Sequence, residues 1–177
     1  VLDSDEIGNL KQLSVGGNFN SGGACRNSHH ANAHKHTASE ILKDTARNVK
    51  IVVAGIGTGG TAFGLKKHLP EFVKVYGVEP AESPLFTNGQ AGPHKIQGIG
   101  ANFIPEIANF AKLDGILTIE GDNAIEEAKS LAKEKGIFAG ISGGANLLAA
   151  KQLAKQYPKK LIVAIIPDGG DRYLSVY

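Results

Sequence analysis

The sequence predicts an α/β fold, with a mostly parallel sheet and helices on both of its faces. Short apolar runs bounded by glycine or proline indicate buried strands, and the strongest of them is at 160–166. These runs alternate with segments that carry apolar residues at helical spacing. Because helices connect strands that run in the same direction, this alternation favours a parallel sheet that is covered on both sides.

Local signals place the elements along the chain. Thr37 and Glu40 have the spacing of a capping box, which predicts a helix at that point. Asp122 and Ser142 are candidate caps of two later helices. The predicted order is helix 37–47, strand 50–54, helix 59–69, strand 74–79, a Gly/Pro-rich stretch 80–105, strand 115–119, helix 122–135, a helix after Ser142 and strand 160–166.

Composition is typical of a soluble globular domain. The chain has 177 residues, of which 42% are hydrophobic and 20% charged. A formal net charge of +2 gives no support to a nucleic-acid partner. No apolar run approaches the roughly 20 residues that cross a bilayer, so we expect no membrane partner.

The N-terminal region carries no targeting pattern. Acidic residues stand where a secretory signal would be basic, and the single cysteine, Cys25, cannot form an internal disulfide. These observations favour a cytoplasmic location, and Cys25 is expected to be an inert thiol. The chain begins at Val1 and contains no methionine, which predicts a fragment or a processed chain.

The first chemical motif is the glycine-rich bend Gly55-Ile-Gly-Thr-Gly-Gly-Thr61, between a predicted strand and a predicted helix. Glycines allow positive φ angles and a close approach of the backbone to a ligand. The helix start adds unpaired N–H groups and the positive end of the helix dipole. With the two threonine hydroxyls, the bend predicts an anion cradle suited to a phosphate. A plain connecting turn is the alternative.

The same bend also fits the dinucleotide pattern Gly-x-Gly-x-x-Gly, at Gly55, Gly57 and Gly60. Glu79 ends the next predicted strand, about 20 residues further on, where dinucleotide-binding domains carry an acid for the ribose. A dinucleotide-binding module of the Rossmann type therefore stays open as an alternative.

Two further motifs accompany the bend. Gly140-Ile-Ser142-Gly-Gly-Ala145 precedes a predicted helix, so Ser142 is either a plain N-cap or a hydroxyl that also faces a ligand. Both glycine turns are predicted to run from strand to helix and hence to share one edge of the sheet. The third motif, Gly92-Pro-His-Lys-Ile-Gln-Gly-Ile-Gly-Ala101, is a candidate mobile lid or an ordinary surface loop.

Together the three motifs closely resemble the cysteine synthase family, the O-acetylserine sulfhydrylases among the fold-type II pyridoxal-phosphate enzymes. The most specific match is Gly92-Pro-His-Lys-Ile-Gln-Gly-Ile-Gly100, which favours cysteine synthase over cystathionine β-synthase. The resemblance runs from about Asn27 to Tyr177. It assigns 27–177 as the phosphate-binding α/β domain, corresponding to the larger C-terminal domain of such an enzyme, and leaves 1–26 unassigned as a loop or linker. The other matching segments are 55–61, 76–83, 140–143 and 167–175.

The resemblance implies a cofactor, a reaction and a set of binding residues. The cofactor would be pyridoxal 5′-phosphate, and the reaction would replace the acetate of O-acetylserine with sulfide to give cysteine. Ser142 would bond the pyridine nitrogen through a neutral hydroxyl, which suits replacement at the β-carbon. Gly98 and Ile99 would lie on the substrate side. The phosphate would be held by Gly57, Thr58, Gly59, Gly60 and Thr61.

The sequence also departs from the family. The Ser-x-Lys-Asp-Arg-type segment with the Schiff-base lysine does not occur, so no catalytic residue is assigned. The Thr-Ser-Gly-Asn-Thr-Gly-type loop that grips the substrate carboxylate is also missing. The usual serine pair is Ser142-Gly143 here, and the usual Gly-Glu-Arg is Gly170-Asp171-Arg172. We therefore predict that the isolated chain is inactive, or that the rest of the enzyme lies outside this sequence.

Partners and metals complete the expectations. The resemblance implies a homodimer and, in the cleft, the C-terminal tail of serine acetyltransferase. A truncated homologue that binds such a partner without catalysis is a further alternative. Four histidines cluster within eight residues, but no cysteine or carboxylate pair completes a usual spacing, so no metal site is expected. Asp168 and Asp171 either position the cofactor ring or cap a turn. The clustered histidines are His29, His30, His34 and His36.

Overall fold

One parallel sheet forms the centre of the described part of the protein. The computed structural model describes residues 29–109 and 111–177, with side chains from His34 onward. The strand order is β3-β2-β1-β4, and every pairing is parallel. This confirms the predicted α/β class. The strands are β1 (Val49–Gly55), β2 (Lys74–Pro80), β3 (Gly115–Ile119) and β4 (Leu161–Ala164).

Helices cover both faces of the sheet, because successive side chains of β1 point to opposite sides. Ile51 and Val53 pack in one core with helices α4 and α5, whereas Val52 and Ala54 pack in the other with α1 and α2. Burial on both faces explains why β1 is an unbroken apolar run. The helices are α1 (His29–Asp44), α2 (Gly60–His68), α3 (Leu85–Asn88), α4 (Gly121–Lys135) and α5 (Ile141–Gln156), with 3₁₀ turns at Glu106–Asn109 and Gly170–Tyr173.

The start of helix α1 differs from the prediction. The described helix already includes His29, so the predicted start at Thr37 is wrong, and the helix ends at Asp44 rather than at residue 47. Thr37 is buried inside it, and the Ser39 hydroxyl donates to the carbonyl of Lys35 one turn back. Serine and threonine can make such bonds within a helix, so the capping-box spacing occurs here without a cap.

The predicted caps of the later helices are also wrong. Asp122 and Ser142 lie in the first turns of α4 and α5, whose N-cap residues, Glu120 and Gly140, make no side-chain cap bond. The Gly121 N–H donates instead to Oε1 of Glu82, at 2.8 Å. A carboxylate that is distant in sequence therefore satisfies the start of α4, and no local pattern reveals it.

The segment before α5 is not a strand of the sheet, contrary to the expectation that both glycine turns follow strands. It makes only an isolated antiparallel bridge, between Ala139 and Gly169. The Gly140 N–H donates to the carbonyl oxygen of Asp168, in the segment that follows β4, at 3.0 Å. This bond places the start of α5 at the carboxyl edge of the sheet all the same.

Some expectations fall outside the described residues, namely the loop or linker at 1–26, Cys25 and the side chains of His29 and His30. Within 29–109 and 111–177, no helix has both the length and the apolar character that spanning a bilayer requires.

Candidate cofactor-binding site

The bend after β1 presents a row of backbone amides that have no acceptor. The Ile56 N–H still belongs to the sheet, because it donates to Val78. The first amide that bonds back along α2 is that of Phe63, which donates to the carbonyl of Gly59 at 3.0 Å. Among the described residues, nothing accepts the N–H groups of residues 57–62. A helix start of this kind is an anion site, because its amides and its dipole both favour negative charge.

Glycine is required at two points of the bend. Gly59 is the N-cap residue of α2 and has φ of 83°, a left-handed conformation that other residues adopt at a cost. A Cβ on Gly57 would stand 2.6 Å from the carbonyl oxygen of Gly98. The bend therefore has no side chain at the place where the neighbouring loop approaches it.

The loop with Gly98 and Ile99 lies directly against this bend. The Gly100 N–H donates to the carbonyl oxygen of Ile56 at 2.9 Å, and Gly98 has φ of 90°. The Ile99 side chain is buried in the core, where its Cγ2 would collide with a Cβ on Gly55. The Ile99 side chain thus packs in the core, and its backbone lies beside Gly57.

Ser142 lies beside the same loop. Its side chain is buried, and its Oγ is 4.0 Å from the point where a Cβ would stand on Gly98. No group among the described residues hydrogen-bonds this hydroxyl. The structure therefore brings the bend at 57–61, the loop at 98–99 and Ser142 together, as the three motifs predicted. A hydroxyl on a buried residue that makes no hydrogen bond to the protein is a group that a polar ligand atom would satisfy.

Asn146 is a buried polar residue that the sequence analysis missed. It lies one turn after Ser142 and is 1% exposed, and its Nδ2 donates to the carbonyl of Ile165 at 2.7 Å. Its Oδ1 is buried without a hydrogen-bond donor among the described residues and lies 3.5 Å from the Cβ position of Gly55. An amide four residues after a serine, on a helix that is otherwise apolar there, is the signal that could have revealed it.

His34 was considered only as a member of the histidine cluster, and its place beside the bend was not predicted. Its Nε2 lies 3.4 Å from the Thr61 hydroxyl, and its ring packs against Gly64 of α2. The structure thus places His34 beside the cradle. His36 is exposed, and within the described part of the chain no three histidine, cysteine or acidic side chains gather as metal ligands.

The Glu79 carboxylate accepts hydrogen bonds from its own chain. Glu79 is 1% exposed, and its carboxylate accepts the N–H groups of Phe86 and Thr87 and the Thr87 hydroxyl, at 2.8, 3.0 and 2.6 Å. The carboxylate therefore anchors the short helix α3. It is not exposed to a ribose, so the dinucleotide interpretation lacks its acid.

Asp168 braces the start of α5. Its backbone carbonyl accepts from Gly140, and its Oδ2 accepts from the Tyr173 hydroxyl at 2.6 Å. Burial and this hydrogen bond to the carboxylate raise the pKa of Tyr173 to about 12. Asp171, in contrast, is exposed in the 3₁₀ turn. Of the two aspartates, Asp168 is the one built into the wall of the site.

These features define a class of protein: an α/β domain with a glycine-rich bend of unpaired amides and a second helix start at one edge of a parallel sheet. The chain belongs to the family of pyridoxal-phosphate dependent enzymes, whose family model matches residues 12–168. The family's cofactor, pyridoxal phosphate, carries a dianionic phosphate, which is the kind of group that unpaired amides at a helix start favour.

Similar proteins confirm the resemblance to cysteine synthases. The chain is 51% identical over 148 residues to cysteine synthase B of Campylobacter jejuni, covering 81% of this chain and 49% of that protein. It is 43% identical over 145 residues to a cysteine synthase of Staphylococcus aureus, covering 78% and 46%. The crystal structure of O-acetyl serine sulfhydrylase isoform 3 from Entamoeba histolytica matches with a TM-score of 0.81 and 42% identity, covering 84% and 46%. The chain thus spans about half the length of these relatives.

Proposed function

We propose that this chain is the phosphate-binding half of a cysteine synthase, which uses pyridoxal phosphate to convert O-acetylserine and sulfide to cysteine and acetate. The observation that carries the proposal is the row of amides at 57–62, which have no acceptor among the described residues. The similarity to proteins named cysteine synthase supports the choice of reaction.

The residues of the site would divide the work. Gly57, Thr58, Gly59, Gly60 and Thr61 would hold the phosphate, and the helix dipole of α2 would favour its charge. The Ser142 hydroxyl would donate a hydrogen bond to the ring nitrogen and keep its own proton. When bound, the cofactor supplies an electron sink for elimination and replacement at the β-carbon. The backbone at Gly98 and Ile99 would bound the substrate side.

The remaining expectations stay proposals. The 177 residues contain no Ser-x-Lys-Asp-Arg-type segment, so we expect this chain alone to bind the cofactor without a covalent link. A homodimer and an acetyltransferase tail in the cleft are carried by the resemblance alone, and a cytoplasmic location by the single cysteine and the acidic N-terminal region. The division into 1–26 and 27–177 also rests on the resemblance.

Reconstitution tests the proposal. The chain is incubated with pyridoxal phosphate, O-acetylserine and sulfide, alone and with the N-terminal half of the Campylobacter jejuni enzyme, and cysteine is measured. We expect reversible cofactor binding and no cysteine from the chain alone, and O-acetylserine-dependent cysteine from the mixture. A borohydride-stable adduct with normal turnover by the chain alone would contradict the first expectation. Cofactor binding without cysteine from the mixture would contradict the reaction.

A further inference from the structure

We propose that His94 is a positioning residue, whose hydrogen bond to Gly100 closes the segment 94–100 into a ring and holds Gly98 against the phosphate bend. The proposal rests on the proposed function, because it gives this ring a part in cofactor binding. His94 Nε2 lies 2.9 Å from the carbonyl oxygen of Gly100. A carbonyl can only accept, so Nε2 carries the proton and donates it.

The ring is shaped around the imidazole. Gly100 has φ of 66°, and a Cβ there would stand 2.5 Å from His94 Nε2. Gly98, inside the ring, also has a positive φ, of 90°. Two glycines in left-handed conformations leave the segment with little stiffness of its own, so the hydrogen bond that spans it has the larger effect on its shape.

Contacts on the inner side join the ring to the bend. The Gly100 N–H donates to the carbonyl of Ile56, and the Gly98 carbonyl leaves no room for a Cβ on Gly57. Ile96 and Ile99 are buried in the core. The ring is therefore tied to the core and to the bend, which favours a fixed wall of the site over the mobile lid that the sequence suggested.

Loss of the hydrogen bond between His94 and Gly100 should have two measurable effects. The segment between Gly98 and Gly100 would sample other conformations, so the Gly100 amide would exchange with solvent about tenfold faster, as expected for one hydrogen bond. The Gly98 carbonyl would no longer confine Gly57, so the affinity for pyridoxal phosphate would fall by a similar factor, again about tenfold.

Four variants separate the effect of this hydrogen bond from a general loss of stability. His94→Ala removes the donor. His94→Gln places an amide nitrogen near the position of Nε2, whereas His94→Asn is too short to reach Gly100. Lys95→Gln is the matched control, because it breaks the neighbouring ion pair between Lys95 and Asp122. The two side chains are 60% and 75% exposed, so this ion pair contributes little to stability.

Amide exchange of the 177-residue chain, followed by NMR without cofactor, is measured together with a pyridoxal phosphate titration. We expect fast Gly100 exchange and weak binding in the alanine and asparagine variants, and wild-type values in His94→Gln and Lys95→Gln. The proposal is overturned if His94→Ala keeps both the protection of the Gly100 amide and the affinity for pyridoxal phosphate. It is also overturned if all amides of this variant exchange faster to the same extent. If His94→Ala speeds the exchange of the Gly100 amide selectively but the wild-type chain binds no cofactor, the role of the hydrogen bond is supported. The proposed function is then contradicted instead.

Discussion

The carbonyl oxygen of Gly98 lies 2.6 Å from the point at which a Cβ would stand on Gly57. Both partners are backbone groups, so neither can move aside as a flexible side chain could. The loop at 98–100 and the bend at 57–61 are thus in direct contact, so we expect a change in either one to affect the other.

The first prediction concerns Gly57→Ala. The added methyl would push the bend away from Gly98, which should cost about 1–3 kcal/mol of stability and lower the affinity for pyridoxal phosphate more than tenfold. Urea unfolding and a fluorescence titration measure the two effects. Gly89→Ala is the control, because Gly89 has φ of 71° but no atom within 4 Å of its Cβ position. That control should lose stability and keep its affinity, and an unchanged affinity in Gly57→Ala would contradict the close contact.

The second prediction separates stability from binding at Ser142. Its hydroxyl makes no hydrogen bond to the described residues, so Ser142→Ala should change the free energy of unfolding by less than about 0.5 kcal/mol. The same variant should bind pyridoxal phosphate more weakly and shift its visible absorption. Denaturant unfolding and absorption titrations provide the test. A loss of more than about 2 kcal/mol of stability would instead assign the hydroxyl a structural role.

The third prediction addresses the dinucleotide alternative through Glu79. Glu79→Gln replaces an acceptor with a donor opposite the N–H groups of Phe86 and Thr87, so we expect a loss of about 1–3 kcal/mol of stability. The exposed Glu71→Gln should change stability by less than about 0.5 kcal/mol. NAD should bind neither the wild type nor the variants in calorimetry. Micromolar NAD binding that Glu79→Gln abolishes would restore the dinucleotide interpretation.

The fourth prediction is a pH dependence at Tyr173. Its folded-state pKa of about 12 lies above the ordinary value of 10.0, because it is buried and donates to Asp168. The folded protein therefore keeps this proton more tightly, so the stabilisation is complete below pH 10 and is lost as the pH rises toward 12.

Tyr173→Phe tests this dependence. Its unfolding free energy should fall less steeply between pH 10 and 12 than that of the wild type. A slope should remain, because burial also raises the pKa values of Tyr76 and Tyr177. At pH 7 the variant should lose about 1–3 kcal/mol, since Asp168 Oδ2 loses its donor. Urea titrations across this pH range provide the measurement, and identical slopes in the two proteins would refute the assignment.

Local signals were enough to predict the sheet and the glycine bend that follows its first strand. The apolar run of β1 and the glycines after it depend on residues that are neighbours in sequence, so their period and spacing are visible in the chain. The order of strand, bend and helix correctly places the first bend at the carboxyl edge of the sheet. Ser142 reaches the same edge through the bond between Gly140 and Asp168 rather than after a strand.

The remaining features depend on contacts between distant segments. Gly121 is capped by Glu82, 39 positions earlier, and His34 reaches Thr61 across 27 positions. Glu79 has the spacing of an acid that would bind a ribose, but in the fold its carboxylate hydrogen-bonds to α3. Sequence periodicity carries no information about such pairs, which is why the partners of Gly121, His34 and Asp168 are known from the structure alone.

Backbone amide shifts test the central claim most directly. In an NMR titration of the chain with inorganic phosphate and then with pyridoxal phosphate, the amide signals of residues 57–61 should shift with both ligands. The signal of Ser142 should shift mainly with the pyridine-bearing ligand. Saturating phosphate that leaves residues 57–61 unchanged, or that shifts only amides elsewhere in the chain, would contradict the assignment of this bend as the phosphate cradle.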